Sequence, residues 1–239
     1  MKTPSPTAAA AAPVKGQRPL TAAVYLWLFA VIAMWASNTV VVKIALRDLP
    51  PFWAAFLRFG GALPFLGAFI WFQGEGFRLR GRQLAQVFLL ALLFVSQIYL
   101  FNLGSQYTTG GRVALIIFSY PLIVPLLAPL FIKEETLTGR IVAGSLVAFS
   151  GLVAAFWYAL IHQEGSTLKG DLIEMASCLM LSVSILYNKR LAQQMDKWKV
   201  LFWEFHFAVA LFLAGALLFE PFDYRSVGLD AWITMAYQC

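Results

Sequence analysis

The residues of this sequence with chemical potential sit inside long apolar runs, at helical spacing. Tyr99, Asn102 and Gln106 fall at i, i+3 and i+7, which is one stripe of a helix. Glu174, Ser177, Ser184 and Asn188 form a second stripe with Leu181 between them, and Tyr187 lies beside it. Trp35 and Asn38 share a face further upstream. Tyr120 adjoins Pro121, the first of three prolines at i, i+4 and i+8 with Pro125 and Pro129. Each proline removes a backbone donor and frees a carbonyl, which either bends a helix for packing or presents that carbonyl to a solute. Polar groups in such runs are costly against lipid and turn towards other helices or a wet cavity. Two uses stay open for them: lining a cavity that takes up a small solute, or bonding helix to helix at about 0.6–2 kcal/mol each. The cavity set is Trp35, Asn38, Tyr99, Asn102, Gln106, Tyr120, Pro121, Ser184, Tyr187 and Asn188.

Two charges add a coupling possibility. Arg58 stands about two turns inside one run and either snorkels outward or attracts an anionic group. Glu204 stands about one turn inside another. It either carries a proton or binds a substrate amine, or it is an interfacial carboxylate near Lys197 and Lys199. His206 is two positions on and therefore on another face, so no Glu–His relay is expected within that helix. Cys178 and Cys239 form no spacing motif, and neither a disulfide framework, a metal site nor a cofactor is indicated.

The elements that position these groups follow from hydropathy. Of 239 residues 60% are hydrophobic and 13% charged, with a mean hydropathy of +0.73. A soluble domain is about half apolar and about a quarter charged, so this chain needs lipid as solvent. The net charge of +6 is scattered through short gaps and is not one basic face, which argues against nucleic acid as a partner. Apolar segments cover 21–46, 52–72, 84–106, 112–132, 140–161, 170–188 and 200–219. Each is long enough to cross about 30 Å of hydrocarbon, and backbone groups in lipid must bond within their own segment, so seven spanning helices are predicted. An eighth run starts near Asp230 and is too short to span. Residues 1–20 are Ala- and Pro-rich and read as a disordered cytoplasmic tail.

With the N-terminus inside, the inner gaps hold twelve Lys and Arg, and the outer gaps hold five: Lys43, Arg47, Arg112, Lys169 and Arg225. That bias predicts a multi-pass protein of a cell inner membrane with a cytoplasmic N-terminus. The gaps leave no room for a folded extramembrane domain, and no phosphate-cradling loop is present, so ATP-driven chemistry within the chain is excluded.

Several stretches then resemble a family. Trp35-Ala36-Ser37-Asn38, Leu57-Arg58-Phe59, Tyr107-Thr108-Thr109, Pro121, and Glu135 with Leu137-Thr138 occur in an order and spacing similar to EamA-type transporters of the drug/metabolite transporter superfamily. The resemblance runs from about residue 22 to the end. It implies an all-α membrane protein, a polytopic helical bundle built as an inverted five-helix repeat, with the substrate cavity between the halves. The first repeat would be 21–161, and 170–239 a partial second repeat. An offset of 146 places Arg58 on Glu204 and Asn38 on Ser184. Inversion sets Arg58 and Glu204 on opposite sides, so no ion pair between them is expected.

The implied function is a permease or exporter of small metabolites, such as amino acids or related compounds, working by alternating access with a small-molecule substrate and the bilayer as partners. A receptor-like membrane protein and an intramembrane enzyme are the alternatives. The enzyme would need a convergent nucleophile and base, which His162 and His206 do not supply. A third class, a retinal protein, would need a Schiff-base lysine in the seventh segment, where there is none. With a second repeat that looks truncated, the chain is expected not to transport alone, while pairing of two copies as a homodimer stays open.

Overall fold

The structure, a computed structural model, describes residues 21–73, 76–132, 136–161, 167–221 and 227–238. The tail 1–20, Lys133, Glu135, His162, Arg225 and Cys239 lie outside the described residues. Ten helices and no strand occur among those described: α1 (Ala22–Ala45), α2 (Pro51–Phe72), α3 (Gly81–Tyr107), α4 (Gly110–Ile117), α5 (Tyr120–Phe131), α6 (Gly139–Ala155), α7 (Trp157–Ile161), α8 (Leu168–Ala192), α9 (Lys197–Phe219) and α10 (Leu229–Gln238). Six stretches are long and apolar enough to cross a membrane: α1, α2, α3, α4 with α5, α8 and α9.

Two of the predicted spans differ from continuous helices. The fourth is α4 and α5, joined through Phe118 and Ser119. Ser119 N–H turns back to Ile116 O at 3.1 Å, Leu122 N–H to Ser119 O at 3.0 Å, and Pro121 has no N–H to continue the ladder. The fifth breaks at Phe156, in an aromatic run of Phe156, Trp157 and Tyr158, and its longer piece α6 has only 17 residues.

The helix ends are capped locally. Thr167 accepts from Gly170 N–H at the start of α8, and Asp196 accepts from Trp198 and Lys199 N–H at the start of α9. Helix α2 begins at Pro50-Pro51 and has no side-chain cap of its own. Its cap comes from the end of α9: the Glu220 carboxylate accepts from Phe52 N–H at 2.9 Å and Trp53 N–H at 3.2 Å, while Glu220 O accepts from Trp53 Nε1 at 3.1 Å. Burial pushes the Glu220 carboxyl above the ordinary glutamate range, and the two amides pull it part of the way back.

Backbone contacts divide the chain after Ser37. Residues 22–37 are the first four turns of α1, with exposed Trp27, Phe29 and Trp35 and a Ser37 Oγ–Met34 O bond of 2.8 Å. Within the second unit α3 packs along α8, α2 along α9, and α5 against α8. Val42, Ala45, Leu49, Phe101, Ile117 and Cys178 form one buried cluster, to which α10 adds Ala231 and Met235. Phe59, Ile98, Ala208 and Phe212 form a second between α2, α3 and α9. Large apolar side chains cover the outside, Trp71 at 73%, Phe72 at 86% and Phe219 at 74% exposure among them, with aromatic rings gathered at helix ends. That surface belongs in hydrocarbon with an aromatic belt at its edges.

Candidate functional site: a buried polar seam between α3 and α8

The start of α8 comes close against the end of α3. Tyr107 O accepts from both the N–H and the Oγ1 hydroxyl of Thr167, each at 2.9 Å. A Cβ on Gly170 would lie 2.7 Å from the Tyr107 carbonyl carbon and oxygen, so only glycine lets the two backbones come this close. The Lys169 ammonium lies 4.4 Å from the centre of the Tyr107 ring.

Charge enters one step further along. Thr108 Oγ1 donates to Asp171 Oδ1 at 2.7 Å. Arg112, from the first turn of α4, donates through Nε to both Asp171 oxygens at 3.1 Å and through its terminal nitrogen to Oδ2. The pair is mostly enclosed, with side-chain exposures of 17% and 11%. Asp171 is also in the first turn of α8, where the helix dipole favours an anion.

One turn deeper, Ser105 Oγ donates to Glu174 Oε1 at 2.9 Å. Glu174 is fully buried, and its Oε2 has no hydrogen-bond partner among the described residues. It fills the notch left by Gly104, where a Cβ would meet Glu174 Cγ at 2.8 Å. Lys43 of α1 reaches the same place, donating to the carbonyls of Ser105, at 3.1 Å, and Thr108. Deeper still, Ser177 Oγ donates to Gln97 O at 3.0 Å and receives Gln97 Nε2 at 3.3 Å. From Thr108 to Gln97 the seam runs about 16 Å along α3. Beside it Cys178 Sγ donates to Ile117 O at 3.7 Å, the carbonyl that Pro121 leaves without its helical donor.

The residues predicted from sequence are distributed otherwise. Asn102 is 3% exposed and donates to Pro51 O at 2.9 Å, tying α3 to the start of α2. Tyr99, on the same face, stacks on Phe52 with ring centres 4.3 Å apart. Gln106 is exposed and lines a recess of about 360 Å³ with Arg47, Asp48 and Glu220. Tyr187 packs on the Val87–Leu90–Leu191 cluster, Ser184 is buried in α8, and Asn188 is half-buried near its end. Tyr120 packs against the Val42–Cys178 cluster, while Pro121 is exposed and Asn38 half-buried. Trp35 belongs to the separate unit. Arg58 lies over the Phe59 ring at 5.0 Å and lines a crevice with Asn102 and Gln238. Glu204 is 4% exposed and pairs with no arginine or lysine among the described residues. Within the second unit the structure joins Asn102 with Tyr99, and Asn102 with Arg58, while Gln106, Tyr120 and Tyr187 stand in three different surroundings.

An apolar hollow lies elsewhere: a groove of about 460 Å³ between α4, α5, α6 and α8, walled by Leu115, Ile123, Leu126, Phe149 and Leu179. Its wall is almost wholly apolar. Among the described residues no three His, Cys, Asp or Glu side chains group as a metal site.

A polytopic helical membrane protein with a charged, hydrogen-bonded seam buried between its helices is the class that fold and site define. The chain belongs to the EamA-like transporter family, whose model matches residues 22–157. Among its relatives, the uncharacterized transporter YoaV of Bacillus subtilis is 22% identical over 200 residues, covering 82% of this chain and 68% of that protein. An uncharacterized transporter of Archaeoglobus fulgidus is 26% identical over 174 residues, covering 72% and 59%. YetK of Bacillus subtilis, another uncharacterized transporter, is 26% identical over 221 residues, covering 89% and 66%. The chain thus spans roughly 60–70% of the length of these three relatives. A solved protein crystal structure shares the fold at a TM-score of 0.66 and 20% identity, over 89% of this chain and 72% of the other.

Proposed function

We propose that this chain forms the body of a carrier for small metabolites, such as amino acids or related compounds, working by alternating access in a cell inner membrane with the N-terminus cytoplasmic. The observation that carries the reading is the seam itself. Burying Lys43, Arg112, Asp171 and Glu174 within lipid-facing helices is expensive, and a bundle needing only stability would do as well with apolar contacts there. Charges kept at such an interface suit one that must open as well as close. The expected repeat boundary falls between α7 and α8, so the α3–α8 seam is the contact between halves that alternating access would make and break. The polar recess at Gln106 and Glu220 opens at the same end and offers a solute a wet approach. Arg58 would attract an anionic group, and Glu204 would take part in coupling or hold an amine.

The test is reconstitution of the chain in liposomes with a panel of labelled amino acids and related metabolites, read as counterflow. Binding of at least one solute, read by intrinsic tryptophan fluorescence, is expected, weakened several-fold by Asp171→Asn, with exchange above empty liposomes only where two copies pair. A chain that binds no panel member by intrinsic tryptophan fluorescence and exchanges none overturns the reading.

A further inference from the structure

The seam holds one group that ion pairing does not account for. Asp171 has Arg112 and Thr108, whereas Glu174 has one hydroxyl and a wall of backbone at Gly104. The groups facing it can be named element by element. From α3 comes Ser105, with Gln97 deeper against Ser177, and just past its end Thr108, all uncharged; from α4 comes Arg112, already bound to Asp171; from α1 comes Lys43, engaged by two backbone carbonyls. From α5, Tyr120 lies with Cys178 in the neighbouring apolar cluster. The one acid of α9, Glu204, stands two turns from the start of that helix, near the other end of the antiparallel α8–α9 pair. Among the described residues no cation forms an ion pair with the Glu174 carboxyl.

We propose that Glu174 is a proton-binding site whose occupancy sets whether α3 and α8 stay in contact. As the neutral acid the carboxyl fits the Gly104 notch and keeps its one bond from Ser105. A carboxylate there would leave a full charge in apolar surroundings with one acceptor position unfilled, and the cost of that falls when the helices part and water or Lys43 reaches Oε2. The proton leaves to the entering water as the carboxyl O–H bond breaks, and it returns as the seam closes. Release of the proton and separation of the halves then become one event. This rests on the transport reading above only for what the proton is used to drive.

The experiment reads the carboxyl directly, without substrate. The purified chain in lipid nanodiscs is titrated by infrared difference spectroscopy. One component of the protonated-carboxyl C=O band, titrating with pH, is expected in the native chain and in Glu204→Gln and is expected to be missing in Glu174→Gln. In parallel, amide exchange of the α3 and α8 ends, corrected for intrinsic rates, should speed up at least tenfold across the same titration in the native chain and stay flat in Glu174→Gln. Ser105→Ala guards against loss of folding in the glutamine variant: it keeps the band but moves its midpoint. A spectrum unchanged by Glu174→Gln, or exchange with the same pH dependence in both proteins, overturns the proposal. A native chain with the Glu174 band that neither binds nor exchanges any solute removes the transport reading and leaves the proton site, and solute binding without that band does the reverse.

Discussion

Arg112 and Asp171 show what a single residue decides in this bundle. Both are mostly enclosed, so removing one partner strands the other. Arg112→Ala should cost about 2–4 kcal/mol in unfolding from mixed micelles, and the double variant with Asp171→Ala should cost less than the sum by at least about 1 kcal/mol. Additive losses would mean the pair is not coupled. Glycines make a second comparison. Gly170→Ala drives a methyl into the Tyr107 backbone, which cannot yield as a side chain would, and should destabilise by about 1–3 kcal/mol. Gly144→Ala, with nothing within 4 Å, should be neutral or stabilise by up to about 1 kcal/mol through helix propensity. At this scale the sequence was half legible. The stripe Tyr99, Asn102 and Gln106 is a genuine helical face, but it turns to α2. The face that meets α8 carries Gln97, Ser105 and Thr108, whose spacing of 8 and 3 residues is equally helical. Periodicity finds faces and cannot say which neighbour each one meets. The Glu174–Ser177 step was visible as a stripe, and its partners on α3 were the missing half.

At the scale of elements, most ends and spans could be read from hydropathy, because lipid forces long apolar segments to close their own hydrogen bonds. The bend that the proline run allowed for takes the form of a joint at Phe118 and Ser119, while the break at Phe156 was not read as an interruption, since hydropathy stays high straight through it. The capping of α2 by Glu220 was also out of reach, as the donor and acceptor are 168 residues apart. Glu220→Ala should therefore loosen the first turn of α2 and lower stability by about 1–2 kcal/mol, with faster amide exchange at Phe52 and Trp53. Unchanged exchange at those two amides would show that water replaces the carboxylate without loss. Pro121→Ala restores a donor to Ile117 O, competing with Cys178 for it. The expected result is slower exchange around residues 118–121.

For the whole molecule, the family and the helical class were both legible from motif order, because the resemblance is carried by many weak matches over a long stretch. Orientation is a prediction still to be checked. In a Cys239→Ser background, with Cys178 buried, Gly76→Cys should resist an impermeant thiol reagent applied from outside, and Asp230→Cys should react. The opposite pattern would invert the topology. Mechanics also differs at this scale. With the ladder interrupted at Phe118 and Ser119, the fourth span is two rods on a shared axle: α4, of 8 residues, is tied to α8 by hydrogen bonds of Arg112 and Ile117 O to Asp171 and Cys178, while α5, of 12, meets α8 through the apolar packing of Ala128 on Leu186. A rod of 12 residues is about 18 Å long, so a tilt of about 10° at the axle swings its far end by about 3 Å, close to a methyl group's width, across its apolar contact with Leu186 of α8.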